Sequence, residues 1–512
     1  MKKIISLILL LAFILSALLN LFSCVGPGGG LPPTNLCKDG HIDKNNDDYC
    51  DFCRNYVIVE IDFYALNDLH GKFCNTDRQK GVYTLASYLK LQQISEENVV
   101  ILSSGDMWQG TAESNLSHGN IITEWMNDIG VVSMTIGNHE FDWGEEVIKS
   151  NLEIADFPFL AINIYDTDTG KLAEYCTPSV VVECGDVQVG IIGAIGDCYS
   201  SISADMVEGV KFKVGSELTA LVKAESERLR AEGADIIVYS LHDGYGKSKS
   251  DVANVNPYDI KSYYDTVLSS GYVDLVFEAH THQSYVLIDS KGVYHLQGGG
   301  ENAGISYVEL AVNSANGKYR VNKSKYIKCE EYDNIHDDED TLALEEKYSS
   351  IIDAAFEPIG SVSRYYDDST LEDVVAELYL DAGIEKWGDQ YNVVLGGGFL
   401  KTRKPYNLTS GQKNYADILS LLPFDNRLVL CSVSGYNLKY KFLETSNADY
   451  HIELSDYGNS LGSYINYYDT YYIVVDTYTA FYAPNGLTII DFYDDTTYAR
   501  DLVAEAIKNG EI

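Results

Sequence analysis

Five times between residue 57 and about residue 326 an apolar run breaks off into the same small set of polar residues. This repetition constrains the chain more than any other feature. Run 57–66 stops at Asn67-Asp68-Leu69-His70-Gly71, and run 99–102 stops at Ser103-Ser104-Gly105-Asp106. Run 131–136 stops at Gly137-Asn138-His139-Glu140-Phe141-Asp142. Run 236–239 leads to His242, and run 273–277 leads to His280-Thr281-His282. Short apolar runs bounded in this way read as strands. Helical patterns over 84–94 and 217–231 lie between several of them. An α/β fold is therefore expected, with polar groups at the C-terminal ends of its strands, the edge where layered α/β proteins bind ligands. The spacing of two in Asp68-x-His70 and in His280-x-His282 aims each pair to one side of extended backbone.

A single histidine at such a place would be an ordinary surface or core residue. Here five of the ten histidines fall in the junctions, beside Asp68, Asp106 and Asn138. This oxygen and nitrogen set suits Zn, Mn, Co or Fe and excludes a thiolate site. Asp68, His70, Asp106, Asn138, His242, His280 and His282 are too many for one ion. Two ions sharing a carboxylate would use them all, so a dinuclear hydrolytic centre is expected.

In their order and number the junctions resemble the calcineurin-like metallophosphoesterase superfamily, and within it the 5′-nucleotidase/UDP-sugar hydrolase family. That pattern runs N-D-x-H-G, G-D-x-x-x-G, G-N-H-E-F-D, a lone His, then G-H-T/S-H/Q; Ala279 replaces the Gly of the last motif. The resemblance implies a four-layer α/β/β/α domain over 57–330 and a smaller α/β nucleotidase domain over 357–512. It places Asp68, His70 and His282 on one divalent ion and Asn138, His242 and His280 on the second, with Asp106 bridging. It also implies release of phosphate from nucleoside 5′-phosphates by metal-activated hydroxide. His139 would stabilise the phosphoryl group or the departing oxygen, and Asp142 would orient that imidazole. Glu140 and Trp143 are expected to be structural.

Residues 331–356, acidic and then helical, read as a linker helix. Beyond them, Gly396-Gly397-Gly398 and Pro423-Phe424-Asp425-Asn426 resemble the family's C-terminal domain. The resemblance gives Phe424 the role of stacking on a nucleobase, with Tyr478 as the second ring and Gly397 and Gly398 beside the substrate. Leu395 and Leu400 stand where the family has Asn and Arg, and no G-G-D-G segment is present. Lys401 and Arg403 are close enough in sequence to supply the missing positive charge.

The chain opens Met1-Lys2-Lys3 and continues apolar to Phe22, the form of a secretory signal over 1–23. Leu21-Phe22-Ser23-Cys24 resembles a bacterial lipoprotein signal, with Cys24 lipidated. A plain membrane anchor is the alternative, since roughly 19 apolar residues barely span a bilayer. An exported protein at the cell surface or in the periplasm is expected. In the tether, 24–56, the spacing Cys37-x3-His41-x8-Cys50-x2-Cys53 supplies four ligands for an accessory zinc ion. A disulfide is the alternative there. Asp43, Asn45 and Asp47 begin like a calcium loop, but Asp48 and Arg54 stand where that loop needs Gly and Glu. Cys74, Cys176, Cys184, Cys198, Cys329 and Cys431 follow no pattern.

With 76 acidic and 37 basic side chains the net charge is −39. Such a chain is not held to nucleic-acid polymers or anionic membranes by bulk electrostatics, which leaves the N-terminal anchor as the membrane contact. Two divalent ions reconcile the acidity with a small phosphorylated substrate. A monomer acting on nucleotides is expected. The rival readings are a diesterase for 2′,3′-cyclic nucleotides or UDP-sugars, and a non-catalytic nucleotide-binding surface lipoprotein.

Overall fold

A computed structural model of the chain describes residues 41–76, 80–245, 271–400, 407–445, 450–462, 464–481, 486–494 and 497–512. Of these, residues 41–58 group with Asn313–Asn316 in one unit, and the other described residues form the second. The larger unit begins with two six-stranded sheets. The first runs, edge to edge, Tyr319–Lys328, Gly304–Asn313, Ile58–Leu66, Val99–Ser103, Val131–Thr135, Phe159–Leu160. The second runs Ser284–Ile288, Tyr294–Gly298, Leu275–Glu278, Ile236–His242, Val187–Ile195, Ser179–Cys184.

The period of two along the strands builds the layers. In Ile58–Leu66, Ile61, Phe63 and Ala65 enter the core between the sheets, while Tyr64 and Leu66 join the core under the helices. That outer core is completed by Tyr83–Ser95, Asn120–Asp128 and Glu145–Ile154. In Ile236–His242, Ile236 and Val238 face the first sheet, and Ile237, Tyr239 and Leu241 pack under helix Ser216–Ala231. The result is the four-layer α/β/β/α arrangement expected of this region.

Four strands of each sheet run parallel to one another. Their C-terminal ends therefore share an edge, and each predicted ligand follows its strand there. The second sheet also holds Val187–Ile195, a strand not anticipated from sequence, which ends in Gly196-Asp197-Cys198.

The region read as a linker contains two successive helices, Glu339–Lys347 and Ser349–Phe356. The first is capped by Asp338, whose side chain accepts from the Thr341 N–H at 3.0 Å. Lys90 Nζ reaches Asp338 at 2.9 Å and Asp128 and Asp340 at 2.7 Å, fastening this segment to helices Tyr83–Ser95 and Asn120–Asp128. Small side chains then let three helices meet: Ala112, Ala355 and Ala416 share one buried cluster with Leu419.

The C-terminal sheet has the order Tyr450–Leu454, Val393–Phe399, Thr470–Asp476, Leu428–Ser434, Leu487–Phe492. Helix Asp368–Trp387 lies against its central strands. The glycine run in Val393–Phe399 allows that approach. A Cβ on Gly396 would strike the Leu380 backbone, and one on Gly397 (φ +111°) would strike the His451 carbonyl. Gly398 (φ +152°) is pressed against Thr479. Among the described residues no helix is long and apolar enough to cross a membrane, and no two cysteines are joined in a disulfide.

Candidate metal centre and substrate cleft

The junction residues turn sharply out of their strands. Asp68, His70, Asp106, His280 and His282 all have φ between +46° and +67°, a region that non-glycine residues rarely adopt. Strain of this kind, of order 1–3 kcal/mol per residue, persists where surrounding contacts over-determine the backbone. Those contacts are visible. Glu140, fully buried, accepts from the N–H groups of Asp106 (2.9 Å), Met107 (2.8 Å) and Gly137 (2.8 Å). Burial pushes its carboxyl up to about 7. Asn67 donates to Asp68 Oδ2 at 2.7 Å and accepts from the Gly298 N–H at 3.0 Å. Glycine is required at two of these turns, because a Cβ on Gly105 or Gly137 would collide with the His242 ring. Ala279 needs no such freedom, since it is absent from the left-handed residues, and its N–H donates to the Asp243 carbonyl at 3.0 Å.

The seven candidate ligands converge. Ligand atoms of Asp68, His70 and His282 lie within 4.8 Å of one another, as do those of Asp68, Asp106 and His242. His70 Nδ1 donates to the Gln109 carbonyl at 2.9 Å, which leaves its Nε2 lone pair facing His282 Nε2 at 3.0 Å. His242 Nδ1 likewise donates to the Ser104 carbonyl at 2.8 Å. Its Nε2 faces Asn138 Oδ1 at 3.1 Å and Asp106 Oδ2 at 3.2 Å. The His242 and His280 rings are 5.4 Å apart.

Imidazole and oxygen lone pairs aimed at one another repel unless a cation or a proton lies between them. Burial alone would lower the His242 pKa, but Asp106 and Asp68 outweigh it and raise it to about 10. This is the response of a nitrogen placed to receive positive charge. Burial, with His242 beside it, lowers His280 to about 4. Asn138 Nδ2 is buried without a hydrogen-bond partner among the described residues. The donor set fits divalent metal ions.

One ligand candidate was missed. Cys198 Sγ joins His242 and His280 in a third group within 4.8 Å, so a thiol does lie at the cluster. The signal was available in sequence: the apolar run 187–195 ending in Gly-Asp-Cys repeats the pattern of the other junctions.

His139 and Asp142 stand beside the cluster. His139 Nδ1 is 2.8 Å from Asp142 Oδ2, and the His139 N–H donates to Asp106 Oδ1 at 2.8 Å. Both side chains line a cavity of about 510 Å³ together with residues drawn from 372 to 499. Phe424 and Tyr478 are among these. Phe424 is 40% exposed, and its ring stacks on His139 at 6.0 Å with 23° between planes. Tyr478 packs 5.7 Å from Phe399. Leu400 lines the cavity where the family has Arg, whereas Leu395 is buried in the sheet. Gly397 and Gly398 serve the packing of the sheet and are not among the residues of the cavity wall. Lys401, Arg403, Cys24 and Cys37 lie outside the described residues.

Two further residues shape the cleft without a sequence signature. Arg500, buried, donates to the Phe424 carbonyl at 2.8 Å, to Tyr415 Oη at 2.9 Å and to Asp425 Oδ1. Asp476, also buried and on the cavity wall, accepts from the Thr479 N–H at 2.8 Å and from Asn426 Nδ2 at 3.2 Å.

Residues 61–284 match the calcineurin-like phosphoesterase family. The chain is 24% identical over 425 residues to the protein UshA of Yersinia enterocolitica, covering 73% of this chain and 74% of that protein. It is 29% identical over 225 residues to a 5′-nucleotidase of Vibrio cholerae, covering 42% of this chain and 39% of the relative. The chain thus spans about two fifths of that relative's length, as it does of an apyrase from Tabanus yao. The crystal structure of a 5′-nucleotidase precursor from Thermus thermophilus shares the fold, with a TM-score of 0.62 at 16% identity over 88% of this chain and 96% of that one.

Proposed function

With residues 61–284 forming a calcineurin-like phosphoesterase domain, we propose that the chain is an exported, metal-dependent phosphohydrolase that releases phosphate from nucleoside 5′-phosphates. One observation carries this reading. A single cavity is lined by His139 and Asp142, beside the ligand cluster, and by Phe424 and Tyr478. A phosphoryl group near His139 and a planar leaving group against the aromatic rings would share that cleft.

Asp68, His70 and His282 would hold one divalent ion, Asn138, His242 and His280 the second, and Asp106 both. When bound, such ions supply positive charge toward a phosphoryl group and a water acidic enough to attack near neutral pH. The protein's own residues do the rest. His139 donates toward charge developing on the phosphoryl or departing oxygen, and Asp142 fixes its ring through the 2.8 Å contact at Nδ1. Phe424 offers a ring face for the base, a contact worth about 1–3 kcal/mol. Arg500, through the Phe424 carbonyl, and the side-chain amides of Gln109 and Asn115, through the Pro423 carbonyl, hold this ring in place. Export is assigned to residues 1–23 with Cys24 as the lipidated residue, and the working form is taken to be a monomer.

The test follows phosphate release by the metal-loaded chain from AMP, GMP, UMP, UDP-glucose and 2′,3′-cyclic AMP. The reading expects the 5′-monophosphates to be preferred, and Phe424→Ala to raise KM for AMP by about 5- to 150-fold, the equivalent of the stacking energy. Preference for the diesters would reassign the substrate class. Nucleotide binding without turnover, with both ions bound, would make the chain a binding protein.

A further inference from the structure

We infer that His41, Cys50 and Cys53 form a structural zinc site, separate from the phosphohydrolase centre, that orders the segment preceding the catalytic domain. Their ligand atoms lie within 4.8 Å of one another. Cys53 Sγ is 3.5 Å from His41 Nδ1. With Zn–S near 2.3 Å and Zn–N near 2.0–2.1 Å, the sulfur-to-nitrogen edge of a tetrahedron comes to about 3.6 Å. The observed separation is that edge.

The local backbone explains how two cysteines separated by two residues reach one point. The Arg54 N–H donates to the Cys50 carbonyl at 2.8 Å, and Arg54 takes a left-handed φ of +61°. The Cys50 N–H donates to the Asn55 carbonyl at 2.8 Å, so the turn is closed from both sides. The Asp51 N–H reaches the Ile42 carbonyl at 2.7 Å, bringing the turn alongside His41.

The oxygen-rich loop between these ligands has another task. Asp43 accepts from the N–H groups of Asp47 (3.2 Å) and Asp48 (3.1 Å) and from Asn313 Nδ2 (2.8 Å). Asp47 Oδ2 is paired with Arg54 at 3.0 Å. These carboxylates are spent on closing the loop, and the calcium reading loses its ligands. What remains for a metal is two sulfurs and an imidazole, a set that selects zinc. These three are the ligands that the described residues bring together. A segment this short cannot bury a sufficient core of its own, and a metal is the usual substitute.

The site would be tested on the full chain, loaded with zinc and freed of loosely held metal. Cys50→Ser/Cys53→Ser should carry one zinc fewer per chain by elemental analysis while keeping its phosphate release. With cobalt in place of zinc, and in a Cys198→Ser background that silences the thiol beside the catalytic cluster, the otherwise unmodified chain should show a thiolate-to-cobalt charge-transfer band. The same chain with Cys50→Ser/Cys53→Ser added should lack it. The cobalt spectrum of the unmodified pair decides the matter even if the double variant does not fold. Equal zinc content in chain and variant, absence of the band, or a disulfide at Cys50 or Cys53 in the exported protein would each overturn the assignment.

Discussion

Gln109 Nε2 donates to the carbonyl oxygen of Pro423 at 3.2 Å, a residue 314 positions further along the chain. The backbone carbonyl of the same Gln109 accepts from His70 Nδ1 at 2.9 Å. One residue therefore holds a metal-ligand candidate by its main chain and the cleft loop by its side chain. Asn115 Nδ2 adds a second bond to the Pro423 carbonyl at 2.9 Å.

Removing both amides isolates what the loop contributes. Gln109→Ala/Asn115→Ala leaves the Pro423 carbonyl without these donors, a loss of about 1–3 kcal/mol that urea unfolding would register. Because Phe424 follows Pro423, KM for AMP should rise while turnover of p-nitrophenyl phosphate, which has no base to stack, stays near that of the parent. An equal fall with both substrates would mean that the amides support the metal ligands and not the loop.

Arg500 carries the same loop from the opposite side. Its guanidinium and the Asp425 carboxylate are both largely buried and joined to each other. Arg500→Met strands that carboxylate, which costs about 3–5 kcal/mol for a buried pair. Adding Asp425→Leu should restore a good part of the stability but not the KM, because the Phe424 carbonyl still lacks its donor. Denaturant midpoints of the single and double variants, with KM for AMP, check both halves. A double variant no more stable than Arg500→Met would show that the stranded charge is not the cause.

These loop contacts mark the limit of what was legible in the chain. The seven candidate ligands could be read because each lies directly after a strand, so local pattern and tertiary position coincide. The alternation of Ile61, Phe63 and Ala65 against Tyr64 and Leu66 made the layering readable for the same reason. Arg500 meets Asp425 across 75 residues, and nothing local to either announces the partner. Glu140 was anticipated as structural, yet the three backbone N–H groups that donate to it belong to loops that only the fold brings together. Cys198 was overlooked because the strand before it went unread. Gly397 and Gly398 look like substrate contacts by motif, whereas close approach of a helix and a neighbouring strand accounts for them.

Stability should carry a pH signature of its own. His295 is fully buried, with Nδ1 at 2.7 Å from Glu278 and Nε2 at 4.0 Å from Asp289. Burial would lower its pKa from the ordinary 6.5, but Glu278 and Asp289 outweigh burial and raise it to about 9. A raised histidine stabilises the fold fully below its unfolded pKa and loses that contribution as pH rises through the folded one. The fold should therefore weaken between about pH 6.5 and pH 9, by up to about 3 kcal/mol from this group. Thermal midpoints measured across that window should fall in the parent and lose most of the slope in His295→Gln. A slope unchanged in the variant would assign it to other groups.

The pairing of His139 with Asp142 gives the sharpest test of the chemistry. If His139 donates to the reacting phosphate and Asp142 acts only by orienting it, the two residues form one unit. His139→Ala should then lower kcat by about 10²- to 10⁴-fold, the range for a positioned proton donor. Asp142→Asn keeps a hydrogen-bonding group at Nδ1 but removes its charge, and should cost about 10- to 100-fold, as loss of a supporting carboxylate does. The double variant should be no slower than His139→Ala, because an orienting residue has nothing left to orient. Metal content should stay at the parent level in all three, since neither side chain is among the seven candidate ligands. If the two losses instead multiply, Asp142 acts on the substrate or on the ligand cluster by a route of its own. If His139→Ala sheds metal, the imidazole belongs with the ligands, a geometry to which its place in one group with His70 and Asp106 also lends itself.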